Sequence, residues 1–217
     1  MATMTACVLH RQAPIAERSL SIEEVGRPAP GPGQVLIRVH VCAVCRTDLH
    51  VVEGDLQPRN LPLIPGHQVV GTVEAIGEDG AGDLQKGGAG QGGGDSGDRE
   101  GPSIGDRVGV AWLHETCGQC RFCDSDRENL CDNARFTGWS VDGGYAERMV
   151  APADFVYPLP GELDDVQVAP LLCAGIIGYR CIRQLGIPKD DFEGKKIGIY
   201  GFGAAGHIAI QILRCRG

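Results

Sequence analysis

Four cysteines near the middle of the chain have the residue type and the spacing of a metal site. Cys117, Cys120, Cys123 and Cys131 fall within fifteen residues and are separated mostly by polar side chains. Such a segment cannot form a core of its own, but four thiolates can hold one tetrahedral Zn²⁺ and order the loop around it. Because four ligands leave no open coordination position, we expect a structural zinc in a lobe over residues 117–131. Two disulfides are the alternative.

A second group of reactive side chains is spread over a much longer stretch. The segment CRTDLH at residues 45–50 combines a thiol, a cation, a hydroxyl, a carboxylate and an imidazole. His67 follows in PGHQ, and Cys173 lies far downstream in LLCAG. Spacing alone does not join Cys45, His67 and Cys173 into one site, because a lone buried cysteine or histidine is more often an ordinary core residue.

A glycine motif near the end of the chain has the pattern of a dinucleotide-binding turn. Gly201, Gly203 and Gly206 match GxGxxG, between a predicted buried strand at 196–200 and a predicted helix at 207–214. In that context the first glycine allows the tight turn, the second the approach of a pyrophosphate, and the third close packing of helix on strand. The N-terminus of the helix would donate N–H groups to the phosphates. A glycine turn without a ligand is the alternative.

These motifs are carried by two kinds of structure. Up to about residue 155, short alternating stretches separated by Gly and Pro predict a β-rich barrel or sandwich. The predicted strands cover residues 35–41, 69–76, 108–112 and 145–150. Beyond Pro160 a helix is expected from the region of Pro170 to Leu185, where Gly186 and Pro188 end it.

Charge and composition exclude several classes of function. The net charge of −8 and the lack of a basic patch argue against a nucleic-acid partner. The N-terminus lacks the apolar core of a signal peptide, and no apolar run is long enough to span a membrane. We therefore expect a soluble cytoplasmic protein with reduced cysteines. Residues 80–101, with glycine at ten of twenty-two positions, predict a flexible surface loop.

The motifs together resemble the zinc-dependent alcohol dehydrogenases of the medium-chain dehydrogenase/reductase superfamily. CxxDxH, GHxxxGxV, the four-cysteine lobe and GxGxxG follow one another in that family's order over the whole chain, except residues 80–101. The phrases CRTDLH, DGGYAE and APLLCAGI are most similar to the yeast and bacterial enzymes. The implied fold combines α/β and β parts. Residues 1–160 would form a GroES-like β-barrel catalytic domain with a structural zinc lobe, and residues 161–217 a linking helix and the truncated start of a Rossmann domain.

By this resemblance the chain also carries a catalytic zinc. Cys45, His67 and Cys173 would be its protein ligands, and the fourth position would be left to water or substrate, which is the arrangement of catalytic zinc sites. Asp48 would orient His67 through a hydrogen bond, as carboxylates behind zinc-bound histidines do. The zinc-free reductases of the superfamily are disfavoured because all seven zinc-binding positions are present.

The same resemblance assigns residues to substrate and cofactor. Thr47 and His50 would relay the proton of the bound alcohol to solvent, and Arg46 would meet the pyrophosphate of the cofactor. Leu56 and Trp112 would line the substrate pocket, where Leu56 replaces a larger aromatic residue of yeast-type relatives and leaves room for bulkier alcohols. The implied reaction converts a primary or secondary alcohol and NAD(P)⁺, with NAD favoured, into an aldehyde or ketone. A homo-oligomer is expected for this family.

The sequence departs from the family pattern in three places. Gln68 replaces the glutamate that commonly follows the zinc-binding histidine, residues 80–101 replace a short connection, and the chain ends inside the predicted dinucleotide fold. One parallel strand and one helix cannot bury both faces of such a sheet. The alternative function is therefore that of a truncated, non-catalytic zinc-binding fragment of such an enzyme.

Overall fold

The structure is a computed structural model that describes residues 2–77 and 101–217. The predicted loop at 80–101 lies outside the described residues, apart from Gly101. The strands of the described part are β1 (Thr3–Leu9), β2 (Leu20–Gly26), β3 (Gln34–Cys42), β4 (Val69–Ile76), β5 (Arg107–Val110), β6 (Leu113–Glu115), β7 (Arg135–Phe136), β8 (Arg148–Pro152) and β9 (Val156–Pro158). The α-helices are α1 (Arg46–Glu53), α2 (Asp165–Val168), α3 (Ala174–Arg183) and α4 (Ala204–Cys215).

The centre of the fold is an antiparallel sheet of five strands in the order β8-β3-β4-β5-β9. The hairpin β1-β2 lies beside it, and bridges join Ala6 to Ala146 and Leu9 to Leu63. A third, two-stranded sheet joins β6 to β7. These connections curl the strands into a partly closed barrel, as the sequence predicted.

Alternation of apolar and polar residues explains the core of this barrel. Val35 and Ile37 of β3 are fully buried, and Ile37 pairs with the buried Val73 of β4. The predicted strands at 35–41 and 69–76 are confirmed. The strand predicted at 108–112 ends at Val110, and the one predicted at 145–150 begins only at Arg148. In the second case the Tyr145 N–H donates to the Pro65 carbonyl and its carbonyl accepts from Cys7 of β1, so Tyr145 does not pair with β3.

The helix predicted from the region of Pro170 to Leu185 is confirmed only from Ala174 onward, as α3. The chain instead forms α2, a 3₁₀ turn over Ala169–Leu172 that contains Pro170, and then α3, which meets the preceding segment at 52°. Cys173 lies at the bend with φ −131° and ψ −72°, outside helical geometry. The physical reason is proline, which cannot donate a backbone hydrogen bond inside a continuous helix.

Within residues 2–77 and 101–217, no single helix is long and apolar enough to cross a bilayer. The bent pair 165–172 and 174–183 reaches that length and composition only when both parts are counted together.

The buried strand predicted at 196–200 is not formed. Ile197 alone is partly buried in this segment, and the Tyr200 side chain is fully exposed. A strand needs a neighbour to accept its backbone hydrogen bonds, and none pairs with this segment in the described structure. The helix predicted at 207–214 is confirmed as α4, which packs on α3 through Ala209 and Ile182.

Candidate metal centres

The first turn of α1 fixes the backbone around Cys45. Cys45 immediately precedes the helix, and the Asp48 Oδ2 atom accepts a hydrogen bond of 2.8 Å from the Cys45 backbone N–H. A carboxylate at this position satisfies a donor that the start of a helix leaves without a partner. The sequence CRTD therefore places the Cys45 thiol and the Asp48 carboxylate side by side.

Asp48 also holds His67. The Asp48 Oδ1 atom lies 3.0 Å from Nδ1 of His67, and the two residues are only 4% and 1% exposed. The opposite ring atom, Nε2 of His67, is buried and has no hydrogen-bond partner among the described residues. A buried nitrogen without a partner is costly unless something binds it, and a carboxylate on Nδ1 is the usual companion of a metal at Nε2.

The turn that delivers His67 requires a glycine before it. Gly66 has φ +99°, a conformation that side chains other than glycine rarely adopt. A Cβ atom at this position would lie 2.6 Å from the Tyr145 ring and 2.9 Å from the Cys42 sulfur. Glycine is therefore required at position 66, because no larger residue fits in the turn that brings His67 into the site.

Cys173 completes a group of three side chains drawn from distant segments. Its Sγ atom lies 3.9 Å from that of Cys45, and the ligand atoms of Cys45, His67 and Cys173 all lie within 4.8 Å of one another. Burial, followed by the neighbouring Cys45 thiolate, raises the pKa of Cys173 to about 12. A cation between the sulfurs would reverse this effect, because a metal stabilises the thiolate.

The four cysteines of the lobe form a second group. Their sulfur atoms lie within 4.8 Å of one another, with distances of 3.5 Å for Cys120–Cys123, 3.5 Å for Cys117–Cys131 and 4.0 Å for Cys117–Cys123. Tetrahedral zinc with Zn–S bonds of about 2.3 Å places its sulfurs roughly 3.8 Å apart. All ten cysteines are free thiols, so the two-disulfide alternative is not what the structure shows.

Backbone groups contribute to the lobe as well. The N–H of Cys117 donates to the Cys131 sulfur over 3.5 Å, and the backbone of Gln119 lowers the pKa of the Cys117 thiol by hydrogen bonding. Two short 3₁₀ turns, Cys123–Ser125 and Glu128–Leu130, carry the chain around the cluster. These donors favour the thiolate form that a metal requires.

A stack of aromatic rings covers one side of the first group. The Trp112 ring meets the His67 ring edge-on at 4.9 Å and stacks on Phe136 at 5.2 Å and on Trp139 at 5.9 Å. Leu56 packs in the same apolar cluster as Trp139. Sequence reasoning included Trp112 and Leu56 but missed Trp139; its being one of only two tryptophans was the available signal.

The remaining polar residues of CRTDLH lie around the rim. The Thr47 hydroxyl lies 3.8 Å from the Cys45 sulfur. His50 is further out, half-exposed, with its Nδ1 atom 2.7 Å from a carboxylate oxygen of Asp55. Arg46 is exposed at the start of α1. Thr47 is thus next to one of the three ligand atoms, whereas His50 and Arg46 face solvent.

Gln68, the residue that follows His67, is buried. Its side-chain amide donates to the Ala43 carbonyl at 3.4 Å, and its own backbone carbonyl accepts from the Ala43 N–H at 3.0 Å. The side chain is thus held by the backbone next to Cys45. The hydrogen bond to Ala43 gives the neutral amide a partner, and the amide adds no charge to the site.

The glycine motif forms the turn that begins α4. Gly201 has φ +89°, and a Cβ atom on Gly206 would lie 2.8 Å from the Gly201 carbonyl oxygen, so the first and third glycines are required by conformation and by space. A Cβ atom on Gly203, which caps α4, would meet nothing within 4 Å. The turn is exposed, and its backbone N–H groups are open to a ligand.

Comparison with known proteins places the chain in a family. The family model of the alcohol dehydrogenase GroES-like domain matches residues 31–161. A Mycobacterium tuberculosis protein named "Probable alcohol dehydrogenase AdhA" is 44% identical over 216 residues, which cover 100% of this chain and 57% of that protein. An alcohol dehydrogenase of Geobacillus stearothermophilus is 40% identical over 203 residues, covering 93% of this chain and 53% of that protein.

A solved structure shows the same architecture. The cobalt- and zinc-bound thermostable alcohol dehydrogenase from Pyrobaculum aerophilum superposes with a TM-score of 0.76 at 26% identity, covering 100% of this chain and 58% of that one. The chain thus spans about half the length of the curated relatives it matches. Together with the family model, these similarities confirm the resemblance read from the motifs. The chain belongs to the family of alcohol dehydrogenases with a GroES-like domain.

Proposed function

We propose that this chain provides the metal-binding and substrate-binding part of a zinc-dependent alcohol dehydrogenase, which oxidises a primary or secondary alcohol to an aldehyde or ketone with NAD(P)⁺. NAD is the favoured cofactor. The observation that carries the proposal is the convergence of Cys45, His67 and Cys173 around an unpartnered, buried Nε2 atom. Two sulfurs and one imidazole nitrogen form a donor set that fits a catalytic zinc with one open position.

The residues around this donor set fit the proposed chemistry. Zinc held there would act as a Lewis acid toward the substrate hydroxyl and lower its pKa. The Asp48 carboxylate keeps the Nδ1 proton on His67 and so directs the Nε2 lone pair toward the metal position. Gln68, the residue that follows His67, does not introduce a second carboxylate.

Thr47 and His50 fit the two ends of a proton path. A hydroxyl can accept and donate a proton at once, and that of Thr47 borders the ligand sulfurs. His50 stands at the half-exposed edge, where its imidazole can exchange a proton with solvent. We assign Thr47 the proton of the substrate hydroxyl and His50 its release.

The aromatic stack fits a pocket for the alcohol's carbon chain. Trp112 and Trp139 offer flat apolar surfaces, and the smaller Leu56 packs beside them. A leucine leaves more space than an aromatic ring, so the pocket would accept alcohols longer or bulkier than ethanol. The alcohol dehydrogenase names of the relatives support this substrate class.

The cofactor would bind across the exposed turn before α4. Gly203 leaves the backbone open to a pyrophosphate, and the N-terminus of the 12-residue helix α4 offers free N–H donors. The exposed guanidinium of Arg46 is available to the same phosphates. Bound there, NAD(P)⁺ would accept the hydride from the alcohol carbon.

The second cysteine cluster fits a structural zinc. Its four sulfurs exclude an open coordination position, and a lobe with only three buried apolar residues needs such a crosslink. We propose one zinc of each kind per chain.

A second candidate function is zinc binding without turnover. It is favoured by the segment 196–200, which forms no strand, and by the full exposure of Tyr200 next to the glycine turn.

Zinc content per chain, measured together with NADH formation from ethanol and from a longer primary alcohol, tests these proposals. We expect two zinc ions in the wild type, one in Cys173→Ala and one in Cys120→Ala, while the control Cys181→Ala, an exposed cysteine on α3, keeps two. Alcohol-dependent NADH formation that disappears in Cys173→Ala supports the dehydrogenase. Two zinc ions without turnover support the second candidate, and an unchanged zinc content in Cys173→Ala contradicts both.

A further inference from the structure

Tyr145 is fixed by its backbone against the turn that delivers His67. Its N–H donates to the Pro65 carbonyl at 3.0 Å, and the N–H of Gly144 donates to the Gly66 carbonyl at 2.9 Å. On the other side, the Tyr145 carbonyl accepts from the N–H of Cys7 in β1 at 2.8 Å. Three main-chain hydrogen bonds thus tie this tyrosine to both the barrel and the histidine turn.

The ring of Tyr145 occupies the space that Gly66 leaves open. A Cβ atom on Gly66 would come within 2.6 Å of the ring, so the two residues are in contact where the chain turns toward His67. The ring also packs on the apolar cluster of Met4, Val8 and Ile64. This packing holds the ring beside the turn that delivers His67.

The hydroxyl of Tyr145 ends in a buried position. Its oxygen has no hydrogen-bond partner in the part of the chain that the structure describes. Burial, followed by the negative charge of Asp48, raises the pKa of this phenol, so the group stays protonated and remains a donor. A buried hydroxyl that makes no bond destabilises the fold, which favours a partner within reach.

Asp48 has room for that bond. Its Oδ1 atom receives Nδ1 of His67 and its Oδ2 atom receives the N–H of Cys45. An ionised carboxylate offers about four lone-pair sites, so two remain. We propose that Tyr145 is a positioning residue whose hydroxyl donates to Asp48 and so fixes the Asp48–His67 pair that directs Nε2 toward the metal position. This inference rests on the proposed metal site and extends it by one residue.

The bond would act on metal affinity. A carboxylate held by three donors has one orientation instead of several, and it keeps the imidazole ring in the plane that the metal needs. Loss of a partner behind a metal ligand typically lowers metal affinity about 10–100-fold. The lobe cysteines make no contact with Asp48, so their site should not change.

Tyr145→Phe tests this with the least change, because only the hydroxyl is lost and the ring remains. Zinc affinity at each site is measured by competition with a chelator, and Co²⁺ absorption reports the geometry at the Cys45–His67–Cys173 site. We expect affinity there to fall about 10–100-fold and the cobalt spectrum to change, with the lobe site unchanged. Tyr179→Phe, on the exposed side of α3, is the matched control and should change neither site.

A double variant isolates the proposed bond. In an Asp48→Ala background, Tyr145→Phe should have no further effect, because the acceptor is already absent. An unchanged affinity in Tyr145→Phe overturns the inference, as does an equal loss at both zinc sites, which would mean that the residue acts on folding alone. Failure of the proposed metal site has a different signature, since the wild type itself would then bind only one zinc.

Discussion

The two cysteine-containing clusters differ in how the chain builds them. The lobe takes its four ligands from fifteen consecutive residues, 117–131, and the buried residues of its apolar cluster are only Cys123, Cys131 and the adjoining Ala134. The other cluster joins Cys45 to Cys173, which lie 128 residues apart, through a barrel core, a buried Asp48–His67 pair and a helix bend. We therefore expect the lobe to depend on a bound metal for order, whereas the assembled site depends on the fold.

The largest difference is expected when each cluster loses its metal. Structural zinc sites bind with roughly 10 kcal/mol or more, and in a lobe with so small a core that free energy is needed for folding. In Cys120→Ala, residues 117–131 should lose order, while in Cys173→Ala the barrel and the site should stay folded. Limited proteolysis and hydrogen exchange of the Cys131 amide, which donates to the Glu128 carbonyl, measure this. If residues 117–131 are equally protected from proteolysis and hydrogen exchange with and without metal, the lobe does not need its metal for order, and the difference between the two clusters is contradicted.

The next effect is expected at the turn that places His67. Gly66→Ala forces a Cβ atom to within 2.6 Å of the Tyr145 ring at a φ of +99°, so we expect the free energy of unfolding to fall by about 3 kcal/mol and one zinc to be lost. Gly105→Ala is the matched control. Gly105 has φ +95° with open space around its Cβ position, so only about 1 kcal/mol of backbone strain is expected.

Urea denaturation of both variants separates the two causes. If Gly66→Ala lowers the free energy of unfolding no more than Gly105→Ala does, the contact with Tyr145 does not determine the turn. The assembled site would then depend less on packing in the fold than we infer.

A smaller effect is expected where α2 is attached to the sheet. Arg107 donates to Asp165 at 2.7 Å and to the carbonyls of Pro160 and Leu163, which anchors the segment leading to Cys173. Asp165→Asn should lower the free energy of unfolding by about 1–2 kcal/mol. It should also speed zinc loss from the assembled site but not from the lobe. Asp190→Asn, at an exposed position, is the control.

The same anchor gives a pH dependence of known sign. Hydrogen bonding to Arg107, and then to His40, lowers the pKa of Asp165 below 3.8. A lowered carboxyl pKa stabilises the folded state above the unfolded value, and this contribution is lost as the pH falls below about 4 through the folded pKa. Stability curves of wild type and Asp165→Asn should therefore converge in acid. Parallel curves down to pH 2 would show that the anchor does not act through this charge.

Local patterns predicted much of this molecule. The alternation in residues 35–41 and 69–76 gave the central strands, and the cysteine spacing gave the lobe, because both depend on neighbours within a few residues. The assembled cluster could not be derived from spacing. Only the resemblance to a family connected Cys45, His67 and Cys173 before the fold brought their ligand atoms together.

Three features of the structure were not predicted correctly from the sequence, and each has a physical reason. The apolar run from the region of Pro170 to Leu185 predicted one helix, but its first turn is 3₁₀ and the regular α-helix begins only after Cys173, which lies at the bend. The segment 196–200 has the composition of a buried strand, yet a strand forms only when a neighbour pairs with it. Trp139 has no periodic signal, because its contact with Trp112 joins two loops.

X-ray absorption at the zinc K-edge, taken with the zinc content, tests the central claim most directly. Six sulfurs shared by two zinc ions predict an average of three sulfur neighbours per zinc at about 2.3 Å, with nitrogen and oxygen at about 2.0–2.1 Å making up the rest. That result with two zinc ions per chain is what the two-cluster account predicts. A pure four-sulfur environment with one zinc per chain would contradict it, since only the lobe would then hold metal.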